Sequence, residues 1–426
     1  QNRLKIVGAT GAVSIPGTFT VGSLDIGHGA GGVTNTAVGT DALDSSHASA
    51  THNTAIGSNA LTGTHTAATL YNTAVGAEAG SSITSGSSNT AVGAYCMDAT
   101  DNGLRNTGVG NGALGANCAD DNVAVGFNSL LAFTGSNATA VGSGALDAAT
   151  TATDLTAVGY NALGALSHAD ATENTAVGAS AADALVGATG AGKWNTALGA
   201  SSLGSSIDGT GNTAVGYTAL YGGDCANDNT AVGTAALKVF TGSDATAVGS
   251  GAADAAGSQT NLTAIGKDAL GAATSGNYNT AVGHTSLAAT INGYNNTAVG
   301  SSALGTADCG NENTAVGKDA LKIFTGGSAT VVGSMAAVAA TNAGYLTAVG
   351  YNAAGALIGG TGNTSVGAFS LYTNLTTGNY NTAVGHAAGQ DVYGGSNTLI
   401  GRYAGIYASN TNSCIAIGNT ALAGPA

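Results

Sequence analysis

Asn35-Thr36-Ala37-Val38-Gly39 returns as Asn53-Thr54-Ala55-Ile56-Gly57 and again as Asn72-Thr73-Ala74-Val75-Gly76. The last clear copy is Cys414-Ile415-Ala416-Ile417-Gly418. Roughly 23 copies follow one another about 17 residues apart, a period that reads as a stacked repeat array. Such an array grows along one axis without a new core, so a chain of 426 residues need not divide into globular domains.

Each unit has the same parts. Thr and Val are strand formers, and the two-residue period of a strand sends them to one face and Ala to the other. The Gly that follows suits a bend with no room for a side chain. Next come two variable residues, a small residue and often Leu, as in Thr40-Asp41-Ala42-Leu43 and Ser58-Asn59-Ala60-Leu61. This segment reads as a second short strand or turn with Leu inward. A loop of Gly, Ser, Thr, Asn and Asp closes the unit. A helix of this length is disfavoured, because Thr, Val, Gly and Asn are poor helix formers and no apolar face recurs at helical spacing. The expected fold is therefore all-β, a parallel β-solenoid or β-roll with two short strands per coil. A single coil buries too little to fold alone. Stacking adds the backbone ladder, and the Asn column is expected to form an amide ladder between coils. The Thr–Val face is expected to be core. The Ala face is then left to pack against neighbouring chains, with a three-fold bundle as the closed solution.

Residues 1–34 differ from the array at 35–426. Leu4–Val7, Ala12–Ile15 and Thr18–Val21 read as strands of an N-terminal β cap, or of a junction to a preceding domain. The chain opens on Gln1 rather than Met, as expected of a processed protein or one piece of a longer one. A longer period is superimposed: Phe133-Thr134-Gly135, Phe240-Thr241-Gly242 and Phe324-Thr325-Gly326 sit in corresponding blocks.

Composition narrows the function. The 70 glycines come with two prolines and no three-residue period, which excludes collagen. A net charge of −14 argues against a nucleic-acid partner. The absence of a long apolar run argues against membrane insertion. The five cysteines lack metal-ligand spacing, and Cys118, Cys225 and Cys309 fall in matching places several coils apart, so they are expected to be small buried apolar residues.

No catalytic constellation is visible, and the chain is not expected to be an enzyme. His47, His52, His65, His168 and His284 fall in loops or just after a repeat Gly. Acidic loops at Asp120-Asp121, Asp224 with Asp228, and Asp308 with Glu312 could ligate calcium, or be solvated loops that share an ancestor. No other cofactor is suggested. Trp194, Tyr221, Tyr294 and Tyr393 are candidates to stack on glycan rings, and several other tyrosines, Tyr278 among them, also stand at loop edges.

Thr36-Ala37-Val38-Gly39 and Ile415-Ala416-Ile417-Gly418 resemble the head repeats of trimeric autotransporter adhesins, the YadA-like head. That resemblance implies a left-handed parallel β-roll, a homotrimer and no catalytic site. It also implies that the recurring Asn35, Val38 and Gly39, with Asn53, Ile56, Gly57, Asn72, Val75 and Gly76, are structural. The longer Asn-Thr-Ala-Val-Gly-x-x-Ala-Leu unit is similar to arrays in phage tail-fibre proteins. The function this implies is a fibre at the virion surface for host attachment, whose partners are other virion or fibre proteins at its ends and a host surface glycan or protein. The alternative is the head of a bacterial cell-surface adhesin. A minor alternative is an ice-binding β-solenoid, weighed down by the single Thr per unit and by its expected place in the core.

Overall fold

The computed structural model describes residues 19–21, 24–27, 34–44, 50–65, 69–186, 192–205, 208–273, 275–372, 378–406 and 411–422. The chain folds as two compact units, Gln1–Ala200 and Ser201–Ala426. Both are parallel β-solenoids with about 17 residues per turn.

In the first unit Phe19–Val21 pairs antiparallel with Leu24–Gly27, which pairs antiparallel with Thr36–Val38. The other strands expected in the N-terminal stretch, Leu4–Val7 and Ala12–Ile15, lie outside the described residues. From Thr36–Val38 to Thr196–Leu198, ten three-residue strands then stack in parallel. In the second unit thirteen such strands run from Thr213–Val215 to Ile415–Ile417. Register is strict. Thr36 faces Thr54, Ala37 faces Ala55 and Val38 faces Ile56, so like residues form columns.

Each coil has one strand, not two. The Ala-Leu segment is a turn whose second and fourth residues are left-handed, as in Asp41 (φ 56°) and Leu43 (φ 57°), or Asn59 (φ 57°) and Leu61 (φ 50°). A leucine in this region costs about 1–2 kcal/mol. Inter-coil hydrogen bonds hold it there: Leu43 N–H donates to Ala60 C=O at 2.9 Å, and Asn59 N–H donates to Thr40 C=O at 3.0 Å. The turn therefore carries a ladder of its own, and its Leu is driven inward, fully buried at Leu43, Leu61, Leu114 and Leu146.

The core assignment is also reversed. The central residue of each parallel strand, Ala in most, points inside and is buried, while Thr and Val face outward and are half-buried or exposed. Volume explains this. Where the central residue is Gly108, an added Cβ would lie 2.6 Å from Cys96 Sγ and 3.1 Å from Met97 Cε. Where it is Leu399, the facing turns carry Gly389 and Gly405, whose Cβ atoms would lie 2.8 and 2.7 Å from the leucine methyls. The coil interior has room for one methyl beside each Leu, and a larger residue enters against glycine, as at Leu399, or where the turn carries Ala in place of Leu, as Val331 does in the coil of Ala337.

Two further columns fix the register. The Gly after each parallel strand has φ between 126° and 146°. At Gly126 an added Cβ would meet Gly142 C=O at 2.5 Å, so backbones of successive coils approach where only glycine fits. The Asn column does form a ladder, mainly from side chain to backbone. Asn35 Oδ1 accepts the Asn53 N–H at 2.9 Å, and Asn35 Nδ2 donates to Ala50 C=O at 2.8 Å. Asn53 Oδ1 repeats this with the Asn72 N–H at 2.9 Å. The ladder pauses in each long block, where Ala138 then Leu155, Ala245 then Leu262, and Ala329 then Leu346 replace Asn. Those blocks hold the largest buried side chains, Phe133, Phe240 and Phe324. Each ring lies over the Gly of its Phe-Thr-Gly step, where a Cβ would stand 2.7–2.8 Å from Cζ. The step is an apolar plug beside the interrupted amide column.

Candidate functional surfaces

The outward face of most of the parallel strands carries one Thr and one Val or Ile, two residues apart and in register with its neighbours, with Val123, Leu198 and Ile415 as the substitutions in these columns. The apolar column is exposed in both units: Val125 and Val141 in the first, Val248, Ile265 and Val332 in the second, each between 37% and 40%. Sequence alternation places Thr and Val on one side, but which side is inside depends on the width of the coil. The Thr–Val face is thus the outer surface of a parallel sheet.

The four aromatic candidates are exposed but are not brought together. Trp194 belongs to the first unit, and its indole Nε1–H donates to Glu173 Oε2 at 3.0 Å. Tyr221, Tyr294 and Tyr393 belong to the second unit. Tyr221 lies across Gly204, where a Cβ would stand 2.6 Å from the ring, so it covers the preceding coil. Tyr294 lines an open groove with Tyr278. Tyr351, Phe369 and His386, none of them expected from the sequence, form with the loop-edge Tyr403 a row of rings over four successive coils. Tyr351 meets Phe369 at 5.4 Å, Phe369 meets His386 at 6.1 Å, and His386 meets Tyr403 at 5.4 Å, all edge to face. The signal was present, since each ring stands one or two residues after a repeat Gly. These contacts tie coil to coil.

The acidic loops gather no metal set. Among the described residues no group of three His, Cys, Asp or Glu side chains is placed to hold an ion. Asp120 and Asp121 pair with Arg105 at 3.5 and 2.6 Å, and this guanidinium holds the Asp121 carboxyl below its ordinary range. Asp308 Oδ1 accepts the Ile291 and Asn292 N–H groups at 2.7 and 3.2 Å, capping a neighbouring loop. Cys96, Cys118, Cys225 and Cys309 are buried, as expected. Burial pushes the Cys96 thiol up to about 12 and Cys309 up to about 11. Among the described residues no helix is long and apolar enough to cross a membrane.

His47 lies outside the described residues, and His65 is not a solvated loop residue. It is 3% exposed, and neither ring nitrogen has a hydrogen-bond partner. Burial lowers its pKa from 6.5 to about 4. The unfolded chain therefore binds the proton first, and the stability His65 contributes is complete above pH 6.5 and lost as pH falls towards 4. We expect a loss of up to about 3 kcal/mol around this coil across that window. Hydrogen exchange over pH 4–7 would read it, and His65→Leu should flatten the dependence.

No protein-family model matches the chain, and no curated protein matches it.

Proposed function

We propose that the chain is a non-enzymatic structural element of a surface fibre. Three left-handed rolls pack side by side along their Thr–Val faces and turn their variable loops towards a host surface. The virion of a phage is the setting its repeat resembles most, with other fibre proteins at its ends. A bacterial cell surface is the alternative.

The observation that carries this reading is the outward column of Val and Ile. All-parallel sheets occur almost only with both faces covered, and here one face is covered by the chain itself and the other is bare. Covering the remaining third of one valine contributes about 0.5 kcal/mol. A single coil would gain little by pairing, but the ten parallel strands of the first unit would together gain about 5 kcal/mol per chain. A long repeat of one outward residue is suited to lateral assembly, and a three-fold arrangement closes it. The expected partner face is the Thr–Val face and not the Ala face, which the coil interior already uses.

A charge placed in this column tests the reading. Val141→Asp combined with Val248→Asp should reduce the native particle to a single chain of 40.2 kDa by sedimentation, with the far-UV spectrum unchanged. An assembled particle indifferent to both charges would place the interface elsewhere.

The same face favours a second reading. One Thr and one Val per coil, in register and outward, make a regular array of methyls and hydroxyls, and the core placement that weighed against ice binding does not hold. Thermal hysteresis separates the two readings. A fibre that buries this face should show none, whereas hysteresis from a single chain, abolished by Thr139→Tyr, would select the ice-binding solenoid.

A further inference from the structure

Two consecutive loops of the second unit, Ser275-Gly276-Asn277-Tyr278 and Asn292-Gly293-Tyr294-Asn295, frame an open groove of about 340 Å³. Tyr278 is 58% exposed and Tyr294 45% exposed, so both rings are available to a ligand. Asn277, Asn292, Asn295 and Ser275 line the groove with them. Among the described residues no charged side chain lines the groove.

The walls are fixed by the coil ladder. Ser275 Oγ donates to Asn292 Oδ1 at 2.7 Å, joining the two loops. Asn277 Oδ1 accepts the Thr260 N–H at 3.0 Å, and Asn277 C=O accepts the Asn295 N–H at 3.1 Å. The Tyr294 N–H donates to Asn311 Oδ1 at 3.1 Å. Each loop is thus pinned to the coils on either side, and little ordering is left for a ligand to impose.

We infer that this groove holds one or two rings of a neutral saccharide, with a C–H face against tyrosine and hydroxyls on the amides. The inference rests on the surface-attachment reading and names the chemistry that attachment would use. A sugar ring has an apolar face and a rim of donors and acceptors, which matches aromatic walls with amides that both donate and accept. The volume lies at the lower end of small-ligand sites. Charge selects among glycans. Asp308 stands behind the groove, 3.5 Å from Asn292 Nδ2, and the chain carries a net charge of −14, so sialylated or sulfated sugars are disfavoured.

The repeat itself supplies variants that should not disturb the fold. The register position of Tyr278 is held by Asn261 and Asn295 in the adjacent coils, all three with φ 57°. The position of Tyr294 is held by Asn277 and Asn311. The full chain, Tyr278→Asn, Tyr294→Asn and a control at an exposed ring of the first unit, Tyr160→Ala, would be measured by biolayer interferometry against immobilised glucose, galactose, mannose and N-acetylglucosamine oligosaccharides, with sialylated and sulfated ones alongside. The expected result is binding to a neutral member, weakened at least tenfold by either tyrosine variant and unchanged in the control. Neutral binding that survives both variants would overturn the groove and leave attachment standing, as would binding of acidic glycans alone. No glycan bound by a particle of three chains would also overturn the groove, and the fibre reading would stand on its mass. No glycan bound by a single chain would remove both.

Discussion

Gly126→Ala is expected to cost the first unit about 3–5 kcal/mol, a large effect for one added methyl. Two terms combine. Gly126 has φ 142°, a region closed to residues with a side chain, and forcing it costs about 1–3 kcal/mol. The new Cβ would also stand 2.5 Å from Gly142 C=O, and relieving such overpacking costs about 1–3 kcal/mol more. The obstacle is backbone, so no side-chain rotation removes it. In a stack where each coil contacts only its neighbours, the damage should appear as fast hydrogen exchange in the coils on either side and fade along the array. Gly344→Ala is the matched control, because nothing lies within 4 Å of its added Cβ and its φ is ordinary. It should change stability by less than about 1 kcal/mol. Equal exchange in the two variants would show that close approach of the glycine backbones does not hold the coils together.

Asn122→Leu is expected to open the same region by a different route. The Asn122 side chain is fully buried. Its Oδ1 accepts the Ala138 N–H at 3.0 Å, and its Nδ2 donates to the carbonyls of Ala119 and Gly135, both at 3.1 Å. Leucine preserves volume but leaves the Ala138 N–H buried without an acceptor, at a cost of roughly 2–4 kcal/mol including misfit. Asn122→Asp gives a sharper test, because its sign depends on pH. A carboxylate could still accept from Ala138 but would face two carbonyl oxygens, so its pKa in the folded state should rise above the unfolded value of about 3.9. The protonated form is then the stable one. The variant should be closest to the parent protein near pH 4 and lose stability as pH rises towards neutrality. A variant with no pH dependence of its own would mean that the Asn column is solvated rather than structural.

Much of this architecture was legible because it is periodic. The Asn-Thr-Ala-Val-Gly spacing locates the strands, and the recurrence of Gly marks the bend that Gly126 and Gly142 make. The inward Leu follows from its recurring place in the unit, and the buried cysteines from their matching places several coils apart. The inside and outside of the strand did not follow, because alternation separates Thr and Val from Ala without saying which face is enclosed. The deciding quantity is the width of the coil, visible only where Gly108 answers Cys96 and Met97, or where Gly389 and Gly405 make room for Leu399. The second strand was misread for a related reason. Asn59, Asn128, Asn161 and Asp268 after the repeat Gly are residue types that tolerate left-handed backbone, and they were the available clue. Leu61 and Leu130 in the same conformation gave none, since ladder bonds from the next coil overcome their local preference. The surface was the least legible part. Tyr278 and Tyr294 are 16 residues apart and become neighbours only when the stacking register is known. Trp194, the more conspicuous residue, stands by itself among the candidates.

In the proposed fibre, further copies of the same chain cover the outward Thr–Val face. The most direct measurement is the mass of the native particle by light scattering in dilute solution. The fibre account predicts about three times 40.2 kDa, lost on introducing charge at Val141 and Val248. A particle of 40.2 kDa would contradict it, and would leave a single-chain solenoid with a bare Thr–Val array.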